Sequence, residues 1–352
     1  MEPYDLLENF SNASGISGHE DEVRALFVSS LQGCGRFYTD KTGSTICEHG
    51  DSGPRIMLAA HMDEIGFLIQ NITPQGFLQI VPIGGWWTHT LPSQRVIITT
   101  RSGEKIRGVI GSKPPHLLPE SQKKSLMTME ALFIDIGAES ADQAIHEFGV
   151  HPGDPVTPDS TFTYLRSKGK VMGKAFDNRL GCAAVLDTMK DLKNEDLGVD
   201  VVGVLSSQEE IGERGAFVTR DVVKPDIAIC FEGCPADDTF NPDYFIQTAM
   251  KKGPMLRHFD KSMVTNPRFQ RFALELGREL SIPVQESVRS GGGTNGGPIH
   301  LSNGGVPVII IGVPVRYIHS HHGFACMADY NNSVKLAVEI IKRLNDETIK
   351  SF

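Results

Sequence analysis

In this 352-residue chain the run Ala60-His61-Met62-Asp63-Glu64-Ile65-Gly66 sets an imidazole and a carboxylate two residues apart. The preceding Arg55-Ile56-Met57-Leu58-Ala59-Ala60 is a short apolar run of the kind that forms a buried strand. On extended backbone His61 and Asp63 project to one face. That spacing suits an imidazole that binds a metal ion and a carboxylate that orients it from behind. Taken alone, H-x-D reads more readily as a core histidine beside a surface aspartate.

Four further clusters change that balance. Asp177 lies in K-A-F-D-N-R, ahead of a helix over 179–190. Glu209 and Glu210 lie in S-Q-E-E-I-G, just after the strand V-V-G-V-L. Glu232 lies in C-F-E-G-C after I-A-I-C, and His319 lies in R-Y-I-H-S-H-H-G after V-I-I-I-G-V-P-V. Each has an ordinary explanation: a helix cap, a solvated turn, a loop acid, a surface loop. Together they are far more specific, because ligands of an open α/β sheet gather outside the carboxyl ends of its strands. The chemistry implied is co-catalytic. Two divalent ions about 3.5–4 Å apart need a bridging carboxylate, further ligands and a water. Imidazole and carboxylate donors suit Zn²⁺, with Co²⁺ or Mn²⁺ as substitutes. Adjacent glutamates point in different directions, so one can bind metal while the other takes a proton from the water.

These residues need a frame. A helix is predicted over 20–31, after the turn-rich Ser14-Gly15-Ile16-Ser17-Gly18, followed by strands at Phe37-Tyr38 and Thr45-Ile46-Cys47. Between about 70 and 162 the texture changes. Short apolar segments (F-L-Q-I-V-P-I, R-V-I-I-T-T, R-G-V-I-G, A-L-F-I-D-I-G) alternate with Gly, Pro and Ser, and one short helix falls at 140–148. That pattern predicts a small β-barrel or sandwich. Afterwards helices over 180–192, 267–280 and 334–344 alternate with strands at 201–205, 227–230 and 306–312. The simplest account is a discontinuous α/β domain, 1–69 with 163–352, its sheet covered on both faces by helices and interrupted by an inserted β domain at 70–162.

Composition excludes several classes. A net charge of −9 argues against nucleic-acid and anionic-membrane partners. There is no apolar run of roughly 18 residues for a membrane span. The N-terminus, M-E-P-Y-D-L-L-E-N-F, lacks the basic segment of a signal peptide, so a cytoplasmic location is expected. The six cysteines are scattered, without zinc-ribbon spacing, and are expected to be reduced thiols.

The runs A-H-M-D-E-I-G, A-F-D-N-R, Q-E-E-I-G and R-Y-I-H-S resemble those of the dinuclear-metal aminopeptidases. The group is that of the glutamyl and deblocking aminopeptidases and the tetrahedral, dodecameric aminopeptidases, some of which carry an endoglucanase label. The resemblance spans nearly the whole chain. It implies a zinc-peptidase-like α/β/α sandwich with an inserted small β-barrel that makes dimer contacts within a homo-oligomer, up to a dodecamer. It further implies peptide substrates, shortened from the N-terminus, and two divalent metal ions per chain. Carried over motif by motif, Asp177 resembles the bridging carboxylate. His61 and Glu232 would complete one metal, Glu210 and His319 the other. Glu209 resembles the general base that takes the proton of the metal-activated water, and Asp63 the catalytic partner of His61. The family commonly has Asp where Glu232 stands, and G-T-D where this chain has Gly293-Thr294-Asn295. His321 and His322 stand close enough in sequence to rival His319. Two other readings exist: a metal-binding assembly protein that has lost catalysis, motivated by Glu232 and Asn295, and a glycoside hydrolase, which needs two carboxyls astride the bond and no imidazoles.

Overall fold

The computed structural model describes residues 4–51, 53–165 and 169–352. Its first three strands are β1 (Arg36–Thr39), β2 (Thr45–His49) and β3 (Arg55–His61). Six barrel strands follow: β4 (Gly66–Ile72), β5 (Leu78–Ile83), β6 (Arg95–Thr99), β7 (Lys105–Ser112), β8 (Leu132–Asp135) and β9 (Pro155–Pro158). The remainder are β10 (Thr163–Leu165), β11 (Lys170–Gly173), β12 (Asp200–Ser206), β13 (Ile227–Pro235), β14 (Met255–Phe259), β15 (Gln285–Val288), β16 (Val308–Val315) and β17 (Gly323–Cys326).

The main sheet has eight strands in the order β1-β2-β12-β3-β13-β16-β14-β15. Its centre, β12-β3-β13-β16, is parallel, while β2 and β14 join it antiparallel. The central strands are apolar along their length because both faces are covered. Every residue of β16 is buried, and β3 is buried from Ile56 onward. One face carries the helices Phe176–Leu192, Pro267–Glu279 and Met327–Lys342; the other carries Arg214–Val223 and Gly296–His300. The helix Phe176–Leu192 packs against β3, β13 and the helix Met327–Lys342. Its stretch Leu180–Leu186 is buried throughout, and the small residues Gly181, Cys182, Ala183 and Ala184 let it lie close to the sheet.

Between β3 and the return to this domain, β4-β5-β8-β7-β6-β9 close into a barrel. Alternate residues (Phe67 and Ile69, Val96 and Ile98) point inward onto a core shared with Leu78, Ile110, Ile134 and Val156. A three-stranded sheet, β10-β11-β17, completes the molecule. Among the described residues no helix is long and apolar enough to cross a membrane. All six cysteines are buried and unpaired.

At the site, two details depart from the sequence reading; elsewhere the last long helix, expected over 334–344, spans Met327–Lys342. Glu232 does not follow its strand but sits inside it, because β13 runs on to Pro235. Up to Cys230 that strand pairs with β3, and past it only with β16. The vacated edge is where Glu232 meets the cleft. Asp177 does not follow a strand of the main sheet; it comes after β11 of the small sheet, at the non-helical start of Phe176–Leu192.

Candidate metal centre and active-site cleft

β3 delivers His61 to the end of the sheet. Its Nδ1 lies 3.0 Å from the Asp63 carbonyl oxygen and 3.4 Å from Asp63 Oδ1. A carbonyl only accepts, so Nδ1 carries the proton and Nε2 is left as a ligand atom. Asp63 is fully buried. Its Oδ1 accepts the main-chain N–H of Glu209 at 2.9 Å, and its Oδ2 accepts that of Glu210 at 3.0 Å and the Ser17 hydroxyl at 2.6 Å. One carboxylate therefore fixes the imidazole and the backbone of the Glu-Glu pair.

Asp177 stands between the two histidines. Its Oδ1 is 3.1 Å from His61 Nε2, and its Oδ2 is 3.3 Å from His319 Nε2. Around His61 Nε2, Glu209 Oε2 and Glu232 Oε2 each lie at 3.8 Å. Around His319 Nε2, Glu210 Oε1 lies at 3.5 Å. The barrel reaches in here: His319 Nδ1 is 2.9 Å from the carbonyl oxygen of Gly85, which presets this ring as it does for His61. Behind the acids, Asn178 Nδ2 donates to Glu232 Oε2 at 3.0 Å and to the Phe231 carbonyl at 2.7 Å. Gly233 is required by this packing, since a Cβ there would stand 2.5 Å from Phe176 O and 2.9 Å from Asp177 N.

The backbone is held away from relaxed geometry around the cluster. Ala175, Gln208, Glu213 and His319 all have positive φ, between 55° and 56°. Such residues cost about 1–2 kcal/mol each and persist only where surrounding contacts over-determine them.

Electrostatics report a surplus of negative charge. Burial, with the neighbouring acids, pushes Glu209 well above the usual carboxylate range and raises Glu210. Glu232 is pushed up to about 8, chiefly by burial. Burial would lower both imidazoles, but the carboxylates outweigh it: His61 is driven well above its ordinary value, and His319 is pushed up to about 11. Asp177 moves down despite its burial, because the imidazoles of His319 and His61 on either side favour its charged form. Among the described residues Glu232 Oε1 is buried without any hydrogen-bond partner, and Glu210 Oε1 has only the His319 ring, 3.5 Å away. Buried carboxylate oxygens lacking partners are costly, and cations are what this cluster lacks. Ligand atoms of His61, Asp177 and Glu210 all lie within 4.8 Å of one another.

The structure thus brings together all seven residues singled out from sequence: His61, Asp63, Asp177, Glu209, Glu210, Glu232 and His319. It leaves the rival histidines out. His321 is buried against Trp86, ring centroids 5.5 Å apart, and His322 lies by Ser160. Asn295 does not face the cleft either; it is buried and donates to Ser206 Oγ at 2.9 Å, although Gly291–Thr294 do line the cavity. Sequence reasoning missed Ser17, Gly85 and Asn178, whose only signal is proximity in space. The cavity over the cluster holds about 560 Å³ and continues past the metal-ligand candidates to Glu213, Arg257 and Arg289.

An α/β sheet with a histidine–carboxylate cluster at its strand ends defines a hydrolase of the metallopeptidase kind. Comparison with known proteins gives the same class. The M42 glutamyl aminopeptidase family model matches residues 43–336. The chain is 35% identical to the putative aminopeptidase FrvX of Escherichia coli K12 over 351 residues, covering 99% of this chain and 97% of the other. It is 34% identical to the glutamyl aminopeptidase of Lactococcus lactis subsp. cremoris over 360 residues, covering 99% and 98%. Among solved structures, the TET aminopeptidase of the marine sediment archaeon Thaumarchaeota archaeon SCGC AB-539-E09 superposes with a TM-score of 0.96 at 38% identity, over 99% of this chain and 98% of that one. The chain belongs to the M42 aminopeptidase family and is a peptidase.

Proposed function

We propose that the chain is a two-metal aminopeptidase acting on the N-termini of peptides, with Glu209 as general base. The observation that carries this is the symmetry of Asp177. Each of its oxygens faces one imidazole; Glu210 stands beside His319, and Glu209 and Glu232 both stand 3.8 Å from His61. Asp177 would bridge, with His61 and Glu232 completing one ligand set and His319 and Glu210 the other. Two divalent ions, Zn²⁺ with Co²⁺ or Mn²⁺ as substitutes, would supply Lewis acidity to the scissile carbonyl and acidify a water.

The chain's own residues do the rest. Asp63 holds the His61 ring by its Nδ1 and pins the main chain of Glu209 and Glu210. Glu209 is the cluster acid left outside both ligand sets, and its carboxyl faces the cavity. There it takes the water's proton and passes it to the leaving amine. The long side chain of Glu232 is steadied by Asn178, which suits it to the place where the family commonly has Asp. By likeness to the TET aminopeptidases the chain would assemble as a homo-oligomer through its barrel, and a cytoplasmic location accords with its composition. A glycosidase would need two carboxyls standing apart across a sugar, whereas here the acids share two histidines.

The test is Glu209→Gln in the metal-loaded protein. Metal content by elemental analysis should stay at two per chain, while hydrolysis of aminoacyl anilides falls by about 10²–10⁴-fold. A Gln variant that turns over normally would show that Glu209 is not the base.

A further inference from the structure

Beyond the ligand candidates, the far wall of the cavity carries three charged side chains: Glu213, Arg257 and Arg289. The two arginines are already matched. Arg257 Nη1 lies 3.0 Å from Oδ2 of Asp260, both side chains being at most 8% exposed. Arg257 Nε is buried and, among the described residues, has no hydrogen-bond partner, so the ion pair to Asp260 is what offsets this guanidinium. Arg289 Nη2 lies 3.1 Å from Asp237 Oδ2 and 2.8 Å from Thr248 Oγ1, and its Nε donates to Ser287 Oγ at 2.9 Å.

Glu213 has no such match. Its main chain is bonded to Glu209 and Phe217, but among the described residues its carboxylate makes no hydrogen bond and no ion pair, and the charge it feels is that of another acid, Asp260. Burial, and after it Asp260, raises its proton affinity. Its position is built rather than incidental. Glu213 has φ +56°, and its Oε1 lies over Gly293, where a Cβ would come within 2.2 Å. Glycine at 293 therefore leaves the space that this carboxylate fills.

We propose that Glu213 selects the substrate's N-terminal residue, and that this cavity takes a cationic side chain, lysine or arginine. The inference rests on the aminopeptidase reading above. An ammonium or guanidinium group entering the cavity would meet the one lining carboxylate outside the ligand cluster that lacks a counter-charge, at a half-buried position. An acidic side chain would meet arginines whose charge is already used. The alternative is the acidic preference named in the Lactococcus relative, with Arg257 and Arg289 receiving the carboxylate.

The experiment compares kcat/KM of the metal-loaded, full-length protein on Lys-, Arg-, Leu- and Glu-p-nitroanilides, in wild type and Glu213→Gln. In wild type, Lys and Arg should exceed Glu by about 100-fold. In Glu213→Gln the Lys:Leu ratio should fall by roughly 10- to 100-fold, the loss expected for a charged hydrogen bond. Inhibition by free lysine against norleucine, the same chain without its ammonium, should lose its preference in parallel, and a matching thermal midpoint shows that the variant folds. A Lys:Leu ratio unchanged within about two-fold, or a wild-type preference for Glu, overturns the assignment while leaving the aminopeptidase reading intact. Failure of all four anilides in protein carrying its metals would sink the aminopeptidase reading and this inference with it.

Discussion

Replacing Glu64 by Gln should destabilise the protein more than any change to its surface. Glu64 belongs to the His61 motif, and Lys174 and Arg179 belong to the Asp177 motif. The three are buried together, each at most 2% exposed. Glu64 Oε1 lies 2.5 Å from Lys174 Nζ and 3.3 Å from Arg179 Nη2. Arg179 is held further by the carbonyls of Met62, Phe10, Ala13 and Gly15. Two cations therefore share one carboxylate, on the same motifs that carry the candidate metal ligands His61 and Asp177. Removing that carboxylate leaves both uncompensated, which costs about 3–5 kcal/mol. At about 2.1 cal/mol/K per residue, a chain of 352 residues loses roughly 1.4 °C per kcal/mol, so the thermal midpoint should drop by about 4–7 °C. The deficit should depend on pH. Burial, partly offset by Glu64, lowers Lys174 to about 8. Below that pH it is charged in both states. Between about 8 and its unfolded value near 10.4, the unfolded chain holds a proton the folded chain has lost, so stability from this group rises with pH. Without Glu64 the folded value falls further and the rise begins at lower pH. The gap between variant and wild type should thus be widest near pH 6 and narrow by pH 9. The assay is thermal or urea unfolding of wild type, Glu64→Gln, Lys174→Met and the double variant across that range. The double variant should recover about 1–3 kcal/mol relative to the sum of the singles. Additive singles, or a Glu64→Gln midpoint within about 1 °C of wild type, would refute the claim that this triad is coupled.

Further outcomes follow from the site. His319→Ala should leave about one divalent ion per chain by elemental analysis, because only the His319–Glu210 set loses its imidazole. Asp63→Asn should weaken metal binding by roughly 10- to 100-fold, measured by competition with a chromogenic chelator, since the amide cannot accept at both of the positions where Asp63 now receives Glu209 and Glu210 N–H. Stripping the metals with a chelator should lower the thermal midpoint, and restoring Zn²⁺ at about 100 times its dissociation constant should return roughly 2.7 kcal/mol. Gly233→Ala should cost about 1–3 kcal/mol and lower metal content, read by unfolding and elemental analysis, because the new methyl collides with the backbone at Phe176 and Asp177.

Much of this arrangement is legible in sequence for a physical reason. Buried parallel strands must be apolar along their whole length, so a polar side chain where such a run ends stands out, as at His61, Glu209-Glu210 and His319. Glu232 is the exception: its strand continues, and only the departure of β3 on one side exposes it. That is a matter of pairing, which local pattern does not carry. The helix Arg214–Val223 escaped because its N-cap, Glu213, is left-handed and makes no capping bond, so no start signal exists. The hydrophobic residues of β4 begin directly after the His61 motif, which blurs where the barrel starts. Lys174, Arg179 and Glu64 sat inside motifs read for metal chemistry, and their pairing depends on distance alone.

The barrel's position bears on how the insertion is used. If the barrel served only as an assembly surface, the site at the end of the main sheet would be complete without it. Yet the proton on His319 Nδ1 is set by Gly85, which follows β5 of the barrel, and Lys105 of β7 pairs with Glu22 of the helix Asp21–Ser30 at 2.7 Å. Gly84, beside it, is packed so closely that a Cβ would come within 2.4 Å of Ile65 and 3.2 Å of Glu210 Oε2. A ligand candidate at positive φ, oriented from another domain, cannot keep its geometry if that domain shifts. A displacement of the barrel would therefore disturb the His319 ring, held by Gly85, before His61, whose Nδ1 is held by Asp63.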